Sequence, residues 1–317
     1  MSLKNESQDF ASKANVTKKA FAKINLTLDI LGKRPDGYHN IETLMINVTL
    51  CDDVQLEFTQ KPGVTEVVCD YPGVPQNGNN IVCKAAQAFF EQAGIANPGV
   101  RFCINKSIPT QAGLAGGSTD AAAALRLLNE AFCSTFGEYK KPDCTAKKGL
   151  LPEDMLYEIG AKIGADVPFC LAGGLCLCTG TGIDLEKLAT PNDLEKYSVV
   201  LIKPEISVST KDAYAIADTL PPKAATATAN AVNALQKNNT LASITDIVSN
   251  DFETALQLPE IKDIKKELLQ NGAVAASMSG SGSAGFGLFT NESIAQTAAK
   301  QLKQKYADVF VCGFANN

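Results

Sequence analysis

Residues 108–132 read IPTQAGLAGGSTDAAAALRLLNEAF, and the rest of the chain is best approached from this stretch. Gly113, Gly116 and Gly117 leave a backbone that turns freely and can approach a ligand without side chains in the way. Apolar residues then recur at Ala121, Ala124, Leu125, Leu128 and Phe132, one face of a helix beginning near Ser118. A glycine loop feeding a helix N-terminus aims unpaired N–H groups and the positive end of the dipole at an anion. The same residues also fit a tight turn before a helix capped by Ser118, so phosphate binding is one of two readings here. The sequence holds no G-x-x-x-x-G-K-[ST], and the loop is not the usual P-loop. Asp120 falls in the first helical turn, where a carboxylate suits the dipole but repels a polyphosphate. Either it points away as a structural group, or a magnesium ion lies between it and the phosphates.

Upstream, AKINLTLDI (22–30) alternates strictly: Ala22, Ile24, Leu26, Leu28 and Ile30 against Lys23, Asn25, Thr27 and Asp29. This predicts a strand with one face in the core and the other outside. GKRPDGYHN (32–40) is a turn by composition. Two further strands are expected around Leu44–Leu50 and Val54–Phe58, with Cys51–Asp53 as a hairpin connection. A helix over 79–94 ending at Gly94 and a strand over 99–109 lead back into the glycine loop.

Downstream, 136–155 begins as a polar insertion, and Pro152-Glu153-Asp154 signals a helix start. VPFCLAGGLCLCTGTG (167–182) carries strand-like pieces broken by Gly173-Gly174. From about Tyr197 the pattern begins again, with strands at 198–204, 273–279, 285–289 and 309–314 and helices between them. Two mixed α+β lobes meeting near residue 180 are the economical arrangement for 317 residues, as 20–180 and 181–317 after a flexible leader 1–19.

The net charge of −5 argues against a nucleic-acid partner, which would call for clustered Lys and Arg. Lys141, Lys147 and Lys148 are interrupted by Asp143 and read as a solvated loop. No apolar run is long enough to cross a bilayer. The ten cysteines contain no CxxC pair, and His39 is the single histidine, too few ligands for zinc. Free thiols in a cytoplasmic protein are expected.

A second glycine run, SMSGSGSAGFG (277–287), contains G-x-G-x-x-G at Gly280, Gly282 and Gly285. It fails as a dinucleotide fingerprint because a strand pattern follows where a helix is required. A hairpin turn explains it, as does a shared polyphosphate facing both glycine runs. Asp166, in IGADVPFC, reads as an Asx-turn residue between a helix end and a strand.

Together AKINLTLDI, KRPDGYHNIETLM, AGLAGGSTDAA, GADVPF and SMSGSGSAGFG, in this order, resemble the superfamily of galactokinase, homoserine, mevalonate and phosphomevalonate kinases. RPDGYHNIETLM resembles the signature of those members that act on 4-diphosphocytidyl-2-C-methyl-D-erythritol in the non-mevalonate isoprenoid pathway. The likeness spans about residues 20–315. It implies a two-lobed fold with mixed sheets, an active-site cleft between the lobes, and ATP-dependent phosphorylation of the substrate's 2-hydroxyl with Mg2+. Ala115 stands where a glycine is common in the family loop, a departure that costs little room.

By the same resemblance, Lys23 and Asp166 are the catalytic pair, Asp166 as general base. The polar face of the first strand lines the cleft. ATP is held by Pro109, Gly113, Leu114, Ala115, Gly116, Gly117, Ser118 and Thr119, with Asn80 and Lys106 near the adenosine. Asn25, Tyr38, His39, Tyr214, Gly280 and Gly282 meet the cytidine diphosphate-linked substrate, with Tyr38 and Tyr214 on the two faces of the base. The metal ligands are unassigned, and the chain is expected to act as a monomer or homodimer. Two alternatives stay open: another kinase of the superfamily, of mevalonate or homoserine type, and a catalytically silent metabolite sensor.

Overall fold

A computed structural model describes residues 16–136, 150–221 and 225–315, with side chains of 134–136 left aside. Most of the leader and the core of the polar insertion lie outside the described residues. Residues 16–19, expected in the leader, belong instead to the first strand. The chain falls into two compact units that interleave in sequence. The first comprises residues up to Ala20, Cys51–Ser107 and Gly116–Leu171; the second comprises Phe21–Leu50, Ile108–Ala115 and Ala172–Asn317.

Two long strands contribute residues to both units: β1 (Val16–Lys33) and β2 (His39–Phe58), joined by the turn at 34–38. β2 is a single strand through Cys51–Asp53, where a hairpin was expected. Asp52 is fully buried in the strand and ion-paired, so its composition misleads: a carboxylate normally signals a turn only when water is its partner.

In the first unit, the second half of β2 pairs antiparallel with β4 (Val100–Asn105), and β3 (Thr65–Cys69) runs parallel to β4. Helix α1 (Ile81–Ala93) starts at Asn80, whose side chain accepts from Val82 N, and stops at Gly94 at φ 65°. It packs on α2 (Gly116–Phe136) and α3 (Glu153–Ile163). Their junction is aromatic. Phe132 meets Phe90 edge-on at 5.4 Å between ring centroids, and Phe89 and Phe58 close round it. Residues 167–172, expected as strand, form the short helix α4 (Val167–Ala172), because Pro168 is acceptable in a first helical turn; β5 (Leu175–Thr179) begins only after Gly173-Gly174.

In the second unit, the first half of β2 pairs with β5, β5 with β6 (Asp184–Lys187), and β1 runs parallel to the short β8 (Ser249–Asn250). A separate antiparallel sheet has the order β11-β7-β10-β9, built from β7 (Ser198–Lys203), β9 (Ala275–Met278), β10 (Gly285–Phe289) and β11 (Asp308–Cys312). Along β7, Val199 and Leu201 enter one apolar cluster with Ile24, Leu26, Leu44 and Ile46. Val200 and Ile202 enter another beneath α5 (Thr210–Ala217), α7 (Asp251–Leu256), α8 (Pro259–Gln270) and α9 (Glu292–Leu302). Both faces of that sheet are therefore covered, which explains its nearly continuous apolar strands.

Helix α6 (Ala227–Asn238) explains a surprise in β1. Every residue from Ala22 to Asp29 is buried, polar and apolar alike, where one face was expected outside. Asp29 accepts from Ala227 N, Thr228 N and Thr228 Oγ1, capping α6, and Thr27 bonds the Thr228 hydroxyl. Half of the polar face is thus committed to a helix end and not to a cleft.

The glycines of GFGLF have a packing reason. A Cβ on Gly285 would lie 2.7 Å from Ile264 Cγ2, and one on Gly287 3.1 Å from both Ala273 Cβ and Leu268 Cδ2. Helix α8 approaches β10 closely only because these positions carry no side chain. The Gly285→Ala variant is expected to lose about 1–3 kcal/mol of stability through overpacking, read from urea denaturation midpoints; unchanged stability would show that Ile264 yields freely.

Candidate active site

Lys23 lies on β1 with its side chain buried, and its ammonium donates to Asn25 Oδ1 at 2.7 Å and to Gly113 O at 2.8 Å. Asn25, two residues along, lies on the same face of the strand. Its carboxamide oxygen also accepts from Gly280 N at 2.8 Å, and its amide donates to Thr43 Oγ1. Ser279 Oγ donates to Gly113 O, and Ala284 N to Ala112 O. One lysine and one asparagine therefore tie together the two glycine runs that lie far apart in sequence. The closeness is steric as well. A Cβ on Gly113 would sit 2.0 Å from Ser279 O, and one on Gly280 3.0 Å from Gly113 O and 3.1 Å from Lys23 Nζ. Gly113, Gly280 and Gly282 all have positive φ. Asn250 holds the second run from below, donating to Met278 O and Gly280 O.

The glycine loop ends where α2 begins, at Gly116. Ala115 immediately before it has φ 58°, a left-handed conformation that costs an L-residue with a Cβ about 1–2 kcal/mol. Its departure from glycine thus costs backbone strain, where only a small loss of room was expected. Within the same unit as α2, the turn carrying Asp166 lies close to the helix start. A Cβ on Gly164 would be 3.8 Å from Ser118 Oγ and 3.3 Å from Ile81 Cδ1. Asp166 sits between α3 and α4, and its carbonyl accepts from Cys170 N at 3.0 Å to open α4. It was expected before a strand.

Asn80 and Lys106 are placed by internal partners. The Asn80 side chain caps α1 and donates to Pro75 O at 2.6 Å. Lys106 Nζ lies 2.5 Å from Asp52 Oδ2 and 2.9 Å from Asp120 Oδ2. Asp120 is thus ion-paired inside the protein through one of its two oxygens.

At the other end of the second unit, His39 and Tyr214 stack face to face, ring centroids 4.4 Å apart and planes 14° from parallel. Asp218 Oδ1 meets His39 Nε2 at 2.6 Å, and Lys33 donates to Asp218 Oδ2 at 3.0 Å. The hydrogen bonds from His39 and then Lys33 hold the Asp218 carboxyl below the usual carboxylate range. Phe252 supports Tyr214 edge-on at 4.8 Å. Tyr38 is 67% exposed at the preceding turn. The face-to-face aromatic pair is thus His39 on Tyr214, where Tyr38 and Tyr214 were expected on the two faces of the base.

Comparison with known proteins places these features. The GHMP kinases N terminal domain model matches residues 80–174, and the GHMP kinases C terminal model matches residues 227–308. A protein of Clostridium botulinum (strain Eklund 17B / Type B) named 4-diphosphocytidyl-2-C-methyl-D-erythritol kinase is 37% identical over 299 residues, 92% of this chain and 98% of its own length. One of the same name from Clostridium tetani is 38% identical over 295 residues, again 92% and 98%. The chain belongs to the GHMP kinase family. A crystal structure of 4-(cytidine 5'-diphospho)-2C-methyl-D-erythritol kinase superposes on this GHMP kinase with a TM-score of 0.71 at 27% identity, covering 95% of this chain and all of the other. Homoserine kinase from Cytophaga hutchinsonii also reaches 0.71, at 23% identity and 96% of each chain, which speaks for the fold alone.

Several residues that hold these loops in the GHMP kinase's two units went unread in the sequence. Ser279 and Asn250 lie in runs that look like ordinary turn composition, and Asp52 was taken for part of a hairpin. The one available signal was a carboxylate breaking an otherwise apolar strand alternation. Ala115→Gly is expected to raise stability by up to about 1 kcal/mol, the relief of left-handed strain less glycine's added unfolded-state entropy. Thermal unfolding with and without an ATP analogue checks it; a lowered midpoint would mean that the Ala115 methyl is needed for packing.

Proposed function

We propose that this GHMP kinase transfers the γ-phosphoryl group of ATP to the 2-hydroxyl of 4-diphosphocytidyl-2-C-methyl-D-erythritol, a step of the non-mevalonate isoprenoid route. The observation that carries the reading is the Lys23–Asn25 knot, a buried ammonium held on carbonyl oxygens where two glycine runs meet. The family it sits in and the name shared by its relatives support the substrate.

In this reading Asp166 takes the proton from the attacking hydroxyl as general base, and Lys23 stabilises the developing alkoxide. Asn25 fixes the Lys23 ammonium. The N–H groups at the start of α2, with Ser118 and Thr119, receive the phosphates at the positive end of the helix. Catalysis is mainly positioning and charge stabilisation. The cytosine lies against aromatic surface from Tyr38, His39 and Tyr214, and Gly280 and Gly282 border the rest of the substrate. No group of three or more His, Cys, Asp or Glu side chains able to hold a metal converges among the described residues. This donor set fits a magnesium ion carried mainly by the phosphate oxygens, whose charge it would offset. No helix among the described residues is long and apolar enough to cross a membrane.

A coupled assay of ADP release with the cytidine substrate, mevalonate and homoserine is the direct test. Turnover with mevalonate or homoserine alone would overturn the substrate assignment, and none with any would favour a silent sensor. Asp166→Asn is expected to lower kcat about a hundredfold with little change in KM, and Lys23→Met to lower it as well. Their double variant should fall short of the product of the two losses, since both serve one transition state. Near-normal turnover in Asp166→Asn would leave the base role empty. Tyr214→Ala should raise KM for the cytidine substrate and leave KM for ATP in place; the reverse pattern would exchange the two ligand ends.

A further inference from the structure

Between Lys106 and Asp120 the chain makes the whole glycine loop, and these two residues meet again at its ends. Lys106 Nζ lies 2.9 Å from Asp120 Oδ2 and 2.5 Å from Asp52 Oδ2, with side-chain exposures of 3% for Lys106, 5% for Asp120 and none for Asp52. Ser107 N donates to Asp52 Oδ1 at 2.6 Å, and Lys106 N to Asp70 Oδ1 at 3.2 Å, so the near end of the loop is fastened twice more. At the far end Asp120 lies just past the first turn of α2, which starts at Gly116 and not near Ser118 as expected. An ionised carboxylate there would set a full negative charge about 6 Å along the axis from the helix start, opposing the attraction that its N–H groups offer to phosphates.

One ammonium serves two buried carboxylates. Asp52 has Lys106 and the Ser107 N–H. Asp120 has Lys106 and faces the Asp52 carboxyl, and its Oδ1 is buried with no hydrogen-bond partner among the described residues. Burial first, and the Asp52 charge against the pull of Lys106, raise the Asp120 carboxyl to about 8. Burial would lower Lys106, but Asp120 and Asp52 outweigh it and raise the ammonium. The other titratable groups facing this cluster are Cys69 and Asp70 at the end of β3. The Cys69 thiol is pushed up by burial and so is uncharged at neutral pH.

We propose that Lys106, Asp52 and Asp120 are positioning residues that clamp both ends of the glycine loop and keep the start of α2 free of net negative charge, so that ATP binding is linked to the proton on Asp120. With Asp120 neutral the three side chains sum to zero. With it ionised they sum to minus one, next to the incoming triphosphate. The inference rests on the reading of the loop as the ATP site.

The sign follows from linkage. With the Asp120 carboxyl raised to about 8, the cluster is neutral at pH 7 and negative above it, and a bound triphosphate favours the neutral form, so ATP affinity should be full at pH 7 and fall as pH passes 8. Calorimetry with a non-hydrolysable ATP analogue, together with KM for ATP and for the cytidine substrate from pH 6.5 to 9.5, reads this. Wild type should bind the analogue about threefold or more weakly at pH 9 than at pH 7, with KM for ATP following and KM for the second substrate flat. Asp120→Asn mimics the neutral acid and keeps an acceptor for Lys106. Whatever its absolute affinity, it should bind the analogue equally at pH 7 and pH 9, without the alkaline decline. Asp52→Asn also leaves one carboxylate per ammonium and should flatten the same profile, so the test survives if either variant fails to fold by thermal unfolding. An alkaline decline unchanged in both folded variants overturns the proposal. Equal affinity at pH 7 and 9 in wild type does so too while leaving the ATP reading intact, whereas no analogue binding at pH 7 would remove the ATP reading itself.

Discussion

A buried ammonium must be satisfied where it lies, and in this protein that demand organises the second unit. Lys23 projects from a strand whose neighbours on both faces are inside, so it has to find acceptors within reach. It finds Asn25 Oδ1 and the Gly113 carbonyl. Asn25 then has an oxygen to share with Gly280 N and an amide to spend on Thr43. Remove the lysine and the Gly113 carbonyl and Asn25 lose a shared donor, while Ser279 and Ala284 still bond the first loop. Glycines follow as a consequence, because a carbonyl brought this close to a neighbouring loop leaves no space for a Cβ at 113 or 280. The chemistry assigned to Lys23 and the architecture around it come from one constraint.

The first unit solves a related problem differently. Its buried charges are grouped as Lys106 with two aspartates, so that the polar cluster sits inside an otherwise apolar unit of aromatic and alanine-rich helix faces. Such a cluster is tolerated only when its members satisfy one another, and here one oxygen is left over. Burial first, and then the Asp52 charge, push the Asp120 carboxyl up.

Elsewhere polar residues act as caps. Asp29 closes the start of α6, Asn80 that of α1, and Asn250 that of α7. Their carboxylate and amide oxygens are already occupied by backbone N–H groups, the ordinary way in which a helix end inside a protein is made acceptable.

Much was legible in the sequence because it depends on local patterns. Alternation at 22–30 and 44–50, the helix stop at Gly94, the start after Pro152 and the glycine run before α2 rest on periodicity and on the conformational freedom of single residues, which neighbours far away do not change. The ordered motifs then pointed to the kinase family. What the sequence could not decide was which polar residues face a ligand and which face the protein. Lys23 and Asp29 share one strand face and one alternation, yet the first anchors two loops and the second caps a helix contributed from about two hundred positions on. Asp52 looked like a turn and is an interior partner; Lys106 proved to have two aspartate partners; His39 and Tyr214 became one stacked platform. These outcomes depend on pairings between distant segments, and the energy of a buried polar atom is set by the partner that tertiary structure brings to it.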